Sequence, residues 1–566
     1  MKQISRRQAL KLIGVTSVGG VLAACATATT APAPTDTVAP AATTASGATT
    51  APADTAAPTD TAVPPTAAVV ASPTPGKPVT ITCVEAWFAI PQYQDSTDPI
   101  MKAITQKMQD EGVNIELKDM ILADYDTKYP LLYASGADFT FAFDAPWYKM
   151  TTLIDQGALS PLEDLINQNA PKLKAEITPK LFDFNFMKGH LYGIPAAFYY
   201  AGTTGVMIRE DLRTKYNAPA PTSADSWPSL EPYLKAIKDN EKTLIPYAHV
   251  YTWPISIPNG KNGWDGFGTA KTGVGVEDIF AGTKLTNTED NGTFVDSAAL
   301  VRSWFEKGYI PQQDLPLSAA TQNVLTDYFV PGKAAAYAEN EPNFKYFGIN
   351  QQLQVGFPNA QAKGYEMTGD TAGKWKGLGT LTQWNFEVFN VNAPQEQQLA
   401  AIKFFDWLVG SQDNIDLWLM GINGTNYKAT SDLGYDEVPG TDATRNYRRQ
   451  FYVGGVGGRF QRNPSNLPQD CKDALTFFTT ESNWLFNPYE KFQVDTKAIQ
   501  TDLATLSGVW DEATHGVYSG QMVTADAVKK MTTTLDGAGR QALKDKLQKQ
   551  FDDWLAANPV ATPTSN

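Results

Sequence analysis

Cysteine and histidine are scarce, with three of each in 566 residues. Three thiols allow at most one disulfide, so neither a disulfide scaffold nor a four-cysteine zinc site is possible. His190, His249 and His515 are far apart and show no His-Glu-x-x-His spacing, which disfavours a zinc hydrolase or a histidine-centred triad. No Lys/Arg run follows Lys11 and the formal charge is −14. Binding a phosphate backbone needs a concentrated basic face, so no nucleic-acid partner is expected. A G-x-S-x-G elbow, a phosphate-binding P-loop and a G-x-G-x-x-G fingerprint are all missing; Gly332-Lys333 lacks the flanking residues of a P-loop and reads as a turn. No repeat with a period of 20 to 50 residues is visible, which removes solenoids and propellers. No metal and no cofactor is expected. A glycosidase pair among 60 carboxylates would leave no lexical trace, so that class stays open.

The N-terminus reads as an address. A charged start with Arg6-Arg7 leads into an apolar run, Leu12 to Ala24, that is too short to span a bilayer as a helix. Ser5-Arg6-Arg7-Gln8 resembles a twin-arginine export signal, with Ala9 where a bulky residue is usual. Leu22-Ala23-Ala24-Cys25 resembles a bacterial lipobox, so residues 1–24 read as a signal peptide and Cys25 as the lipidated N-terminus of the mature chain. Residues 26–78 follow: 17 Ala, 14 Thr and 10 Pro in 53 positions, with no aromatic residue. Such a stretch has nothing to bury and reads as a disordered, partly extended linker. Cys83 and Cys471 are expected to be free thiols, since nothing in the sequence places them within bonding distance.

From Val79 the pattern changes. Val79 to Val84 alternates like a strand; Asp98-Pro99 opens a helix with Ile100, Ile104 and Met108 on one face; Val113, Ile115 and Leu117 alternate again. Asp124 to Ser135 reads as a helix ended by Gly136 and kinked or split by Pro130, and Phe139, Phe141 and Phe143 mark a third strand. This order predicts a parallel sheet covered by helices, with the loops at the strands' carboxyl ends free for ligands. Further helices are predicted around Leu230 to Ile237, over Ala298 to Lys307 and over Gln395 to Leu408, and Leu543, Leu547, Phe551 and Trp554 share the face of a closing one. Asn287 to Gly292 is like the front half of a calcium loop, but Ala298 stands at the twelfth position, so it is read as a hairpin turn. Trp87, Trp147, Tyr199, Tyr200, Tyr251, Trp253, Trp264, Trp384 and Trp484 sit among turn formers and polar residues, off the helical faces. Flat rings of this kind suit the C–H faces of a sugar, with neighbouring Asp, Asn and Glu for its hydroxyls.

Several segments together resemble a known family. Asp124-Tyr-Asp-Thr-Lys-Tyr129 with Ala134-Ser-Gly136, Phe141-Ala-Phe-Asp-Ala-Pro-Trp147, Gly189-His-Leu-Tyr-Gly-Ile-Pro195, Asp327-Tyr-Phe-Val-Pro-Gly-Lys-Ala-Ala335 and Ala401-Ile-Lys-Phe-Phe-Asp-Trp-Leu408 are similar to successive landmarks of the extracellular solute-binding proteins of bacterial ABC importers. Gly421-Ile-Asn-Gly-Thr-Asn-Tyr427 and Phe486-Asn-Pro488 resemble the large lipoprotein branch of the sugar-binding family, and the landmarks run in order from about residue 79 to 556. The resemblance implies an α/β, two-lobed periplasmic-binding-protein-like (type II) fold with discontinuous lobes, a hinge and an inter-lobe cleft. Lobe one would comprise roughly 79–197 and 387–483, lobe two roughly 198–386 and 484–558, with 559–566 a polar tail.

The resemblance further implies a monomeric receptor that is not an enzyme, held outside the cytoplasm on the cell membrane by the Cys25 anchor. It would capture a carbohydrate, an oligosaccharide, and hand it to ABC permease subunits. Trp87, Trp147, Trp253 and Trp384 are the residues expected to stack on sugar rings, Tyr199 and Tyr251 to form aromatic walls, and Asp144, Glu339, Asn340 and Asn385 to recognise hydroxyls. Three alternatives remain at this point: a secreted polysaccharide lyase or glycosidase, a receptor for a peptide, polyol or phosphate ester, and a cell-surface adhesion module.

Overall fold

A computed structural model describes residues 76–559 apart from 86–93, 123–124, 147, 178, 196–203, 223–226, 251–270, 277–281, 318–323, 368–376, 384, 432, 439–446, 448, 450–459 and 461. The expected signal peptide, Cys25 and the linker to residue 75 lie outside the described residues. In chain order the strands are β1 (Val79–Glu85), β2 (Ile115–Ile121), β3 (Phe141–Asp144), β4 (Gly193–Pro195), β5 (Thr204–Arg209), β6 (Val274–Val276), β7 (Leu285–Asn287), β8 (Ala336–Asn340), β9 (Ala362–Glu366), β10 (Gly377–Gly379), β11 (Phe386–Phe389), β12 (Lys428–Ala429), β13 (Gly434–Asp436), β14 (Asn463–Pro464) and β15 (Trp484–Phe486). The helices used below are α1 (Gln94–Asp110), α2 (Tyr125–Ser135), α3 (Glu231–Asn240), α4 (Gly292–Lys307), α5 (Pro342–Gly356), α6 (Gln395–Leu408), α7 (Gln412–Leu419), α8 (Gln469–Thr479), α9 (Gln500–Tyr518), α10 (Thr524–Gly537) and α11 (Arg540–Ala557).

The first sheet has the order β2-β1-β3-β11-β4. β1 pairs in parallel with β2 and β3, as the strand–helix–strand reading requires, while β11 returns from far along the chain and lies antiparallel between β3 and β4. Ile100, Ile104 and Met108 of α1 are buried together against Ile81, Ile115 and Leu117. β2 begins two residues later than Val113. Gly112, at φ 80°, ends α1, and the Val113 amide turns back to the Met108 carbonyl at 2.8 Å, so the helix end takes that residue from the strand. Pro130 does not split α2, which runs unbroken from Tyr125 to Ser135. The lost backbone donor is offset by a ladder of buried tyrosines on the inward face. Tyr125 stacks on Tyr129 at 4.6 Å, Tyr129 meets Tyr133 edge-on at 5.4 Å, and the Tyr125 hydroxyl donates to the Phe143 carbonyl at 2.6 Å.

A second sheet, β8-β5-β9, is antiparallel throughout. Its core takes Val206 and Ile208 from β5, Tyr233, Leu234 and Ile237 from α3, and Val301 and Trp304 from α4. A Cβ on Gly364 would stand 2.0 Å from the Pro342 carbonyl oxygen, so only glycine lets β9 pass so close beneath α5. The expected lobe-one segment 387–483 divides: β11, α6 and α7 pack with the first sheet, whereas Leu467 and Cys471 at the start of α8 are buried with Ile349 and Leu353 of α5. A third core joins α9, α10 and α11 to the β6–β7 pair, with Leu543, Leu547 and Phe551 on the inward face of α11 as expected; each such side chain contributes about 1.5–3 kcal/mol by leaving water. Asn287 to Gly292 is not a hairpin turn but the link from β7 to α4. The Asn287 side chain and Asp290 cap one another's backbone amides, a reciprocal arrangement that starts helical structure. Cys83 and Cys471 are free, buried thiols in different cores.

Candidate functional site

The two sheets each offer one edge from which the loops carrying the expected ligand residues depart. In the first sheet Phe386 stands opposite both Asp144 and Pro195, so the ends of β3 and β4 and the start of β11 lie in one row. Trp87 follows Glu85 by two residues, Trp147 follows Asp144 by three, Tyr199 follows Pro195 by four, and Trp384-Asn385 immediately precedes Phe386. In the second sheet Thr204 stands opposite Asn340, and Gly205 lies between Glu339 and Glu366. Ile245 forms a parallel bridge with Ala334 and the Ala248 amide donates to the Ala336 carbonyl at 2.8 Å, so this segment runs alongside β8 toward the end that carries Asn340. Tyr251 and Trp253 come next in the chain. Trp87, Trp147, Tyr199, Tyr251, Trp253 and Trp384 themselves lie outside the described residues; Asp144, Glu339, Asn340 and Asn385 lie within them.

Asp144 is wholly buried and its carboxylate is engaged by the protein. One oxygen accepts from the Ala145 amide at 2.7 Å and the Lys149 amide at 3.0 Å, the other from the Tyr129 hydroxyl at 3.0 Å. Burial pushes its pKa up to about 7, against the opposing pull of these donors. Glu339 is similarly occupied, accepting from the Tyr337 hydroxyl at 2.7 Å, the Asn340 amide at 3.0 Å and Lys345 Nζ at 3.1 Å. Asn340 Oδ1 accepts from the Thr204 hydroxyl at 3.4 Å and the residue is half-buried, as is Asn385. The two amides therefore keep solvent-facing surface, while the two carboxylates hold the backbone from which their loops spring.

Sequence reasoning missed a buried ionic cluster one row inside the first edge. Glu85 ends β1 and Glu387 is the second residue of β11, and both are almost fully buried. Arg449 forms an ion pair with Glu85 and lies over the Trp418 ring at 3.4 Å, and its Nε donates to the Tyr447 hydroxyl at 2.6 Å. Cys83 Sγ donates to Glu85 at 3.1 Å. Glu387 Oε2 and one terminal nitrogen of Arg449 have no hydrogen-bond partner among the described residues. Burial, then the nearby Glu85, hold the Glu387 carboxyl well above the usual carboxylate range, and Arg449 opposes this. A glutamate inside Phe386-Glu-Val-Phe389, an otherwise apolar strand, was the signal available in the sequence.

A further junction fixes the return from β10 to the first sheet. β10 pairs in parallel with β15, and Leu381 beyond it enters the first sheet's core. One Glu490 oxygen accepts from the amides of Leu381 and Thr382, each at 2.6 Å, and from the Thr380 hydroxyl. Asn185 grips the same turn from the other side: its Nδ2 donates to the Leu381 carbonyl at 3.0 Å and its Oδ1 accepts from the Gln383 amide at 2.7 Å. The Gln493 side chain accepts from the Lys188 amide at 2.9 Å and donates to the Phe186 carbonyl at 2.5 Å. Among the described residues no group of three or more His, Cys, Asp or Glu is arranged to hold a metal ion, and no helix is long and apolar enough to cross a membrane.

Comparisons with known proteins point to one class. Residues 488–556 match the family model "Domain of unknown function (DUF3502)". A "Carbohydrate ABC transporter substrate-binding protein" of Streptococcus pneumoniae is 22% identical over 270 residues, 47% of this chain and 53% of that protein. The chain thus matches about half the length of this curated relative. The crystal structure of the N-glycan transport solute-binding protein NgtS from Streptococcus pneumoniae superposes with a TM-score of 0.69 at 16% identity, over 86% of this chain and all of that one. A solute-binding protein from Bifidobacterium longum infantis, described as binding HMO, gives 0.56 at 14% identity, over 85% of this chain and 99% of that one. The fold is the α/β, two-lobed fold of solute-binding proteins, as the sequence resemblance implied. The resemblance to ABC-importer binding proteins holds both in sequence and in structure.

Proposed function

We propose that this chain is a membrane-anchored substrate-binding protein that captures an oligosaccharide between its two lobes and delivers it to an ABC permease without altering it. The observation that carries the reading is the placement of the loops: the segments bearing the aromatic residues are attached to one edge of each sheet, and the crossover 196–203 joins β4 at the first edge directly to β5 at the second. A polysaccharide lyase or glycosidase would have to place an acid and a base there. Of the described carboxylates at the edges, Asp144 and Glu339 are instead occupied by protein donors, and Glu366 accepts from the Asn343 amide at 3.4 Å. The similarity to a carbohydrate substrate-binding protein and to N-glycan and HMO binders supports a sugar ligand over a peptide, polyol or phosphate ester.

In this reading Trp87, Trp147, Trp253 and Trp384 stack on sugar rings, Tyr199 and Tyr251 wall the cleft, and Asn340 and Asn385 meet hydroxyls. Asp144 and Glu339 act one step back, as anchors of the loops that carry those groups. The first lobe comprises the first sheet with its helices to residue 195 and from 386, and the second lobe the second sheet, α8 and the C-terminal helices. The export signal and a lipid on Cys25 hold the protein outside the cytoplasm as a monomer. The test is calorimetry with N-glycan and human-milk oligosaccharides, with mass spectrometry of the sugars afterwards. A ligand is expected to bind and to be recovered intact, and Trp147→Ala and Trp384→Ala each to cost about 1–3 kcal/mol of affinity. Normal binding by both variants would remove the site assignment, and turnover of a sugar would remove the function.

A further inference from the structure

We infer that Glu490 is a positioning residue for ligand capture, because it pins the passage by which the chain re-enters the first lobe. This rests on the binding-protein reading above. Three stretches of chain meet at one point: residues 181–188 of the first lobe, the crossover 380–383, and the segment 487–493 that opens the C-terminal region. The crossover leads straight into Asn385 and Phe386, so whatever fixes it sets where the first edge begins.

Glu490 is suited to this task in three ways. Its carboxylate takes three donors from consecutive residues, Thr380, Leu381 and Thr382, which orients the turn as a unit. It stands on a segment whose neighbours grip both lobes: Tyr489 and Phe492 are buried with Phe551 of α11, while Gln493 holds residues 186–188 and Lys491 lies over the Phe184 ring at 4.5 Å. It also shares its turn with Asn185, which clamps the same residues through the Leu381 carbonyl and the Gln383 amide. A crossover between lobes has to bend when they move, and a pinned turn confines the change in φ/ψ to the few residues beside it. With the carboxylate in place the turn is rigid and the lobes swing about it; without it the crossover is free to reorient and the lobes lose a defined relation.

The experiment reads the lobes directly and needs no sugar. Spin labels are placed at Lys174→Cys in the first lobe and Asn240→Cys in the second, both exposed, in the full chain with Cys25→Ser, and the distance distribution is measured by pulsed electron resonance. The protein with Glu490 intact is expected to give one narrow distribution, Glu490→Ala a broad one, and Glu490→Gln an intermediate width. Hydrogen exchange at the Leu381 and Thr382 amides should accelerate by about tenfold in Glu490→Ala. A Glu490→Ala distribution that overlays the parent overturns the inference, even where the two amides exchange faster, since the residue would then secure only its own turn. Should Glu490→Ala fail to fold, Glu490→Gln decides alone by the same criterion. Because no ligand is added, a protein that binds no carbohydrate can still pass or fail this test, so the two proposals fall separately.

Discussion

Arg449 and Arg540 are, among the described residues, arginines with no exposed side-chain surface, and they solve the same problem differently. Arg540, at the start of α11, finds Glu289 through two nitrogens, at 2.8 and 2.5 Å, and Asp536 through Nε at 2.9 Å. Thr532 adds a donor to Glu289, and Lys544 reaches Asn287 next to it. Every charge there has a partner, and burying a charge is tolerable on those terms. Arg449 faces two buried carboxylates, pairs with one, and leaves Glu387 with an oxygen that has no hydrogen-bond partner among the described residues. The saturated cluster ties the β7–α4 link to the C-terminal helices. The unsaturated one lies one row beneath the proposed ligand edge.

Three outcomes would sharpen or break this contrast. Arg449→Met should have the largest effect, a loss of about 3–5 kcal/mol in denaturant unfolding, because it strands Glu85 in a site already shared with a second carboxylate. Arg540→Met should cost less, about 1.5–3 kcal/mol, since the buried Glu289 keeps the Thr532 hydroxyl as a donor and Asp536 is half exposed and can turn to water. Equal losses would show that saturation does not distinguish the two sites. Glu387→Gln should have the smallest effect at pH 5 and a stabilising one above. The raised pKa means that the folded state holds this proton more tightly than the unfolded chain does. Its contribution is therefore fully present below the unfolded value of about 4.3 and is lost as pH climbs toward the folded value, at up to about 1.4 kcal/mol per pH unit. Unfolding curves from pH 5 to 8 should fall less steeply for Glu387→Gln than for the parent; parallel slopes would mean that Glu387 is ionised in the fold.

What the sequence reveals and what it hides divide by distance along the chain. β1, α1, α6 and α11 were readable because each announces itself within a dozen residues, by alternation or by apolar residues three and four apart. Pro130 misled because a local rule was overridden by the tyrosine ladder, whose partners at Phe143 and Asp144 belong to another element. Asn287 misled because the same short polar residues serve cation loops, hairpins and helix caps alike. The Glu85–Arg449 pair closes over 364 positions and Glu490 reaches back more than a hundred, with no periodicity to betray either. Of the proposed ligand residues, the aromatic ones stand out in the sequence as islands among turn formers. That Asp144 and Glu339 turn inward was not, since an aspartate at the end of a strand looks the same whether it caps its own backbone or waits for a sugar.

The buried thiols of Cys83 and Cys471 bear on how long such a molecule endures. Oxidants and disulfide exchange act on the thiolate, and burial holds Cys83 in its protonated form, while Cys471 is pushed up to about 11. With each sulfur enclosed in a separate core, neither is placed to meet the other or a second copy. In oxidising surroundings such a head would therefore keep its two unpaired cysteines reduced without a reductant and without being stitched into aggregates.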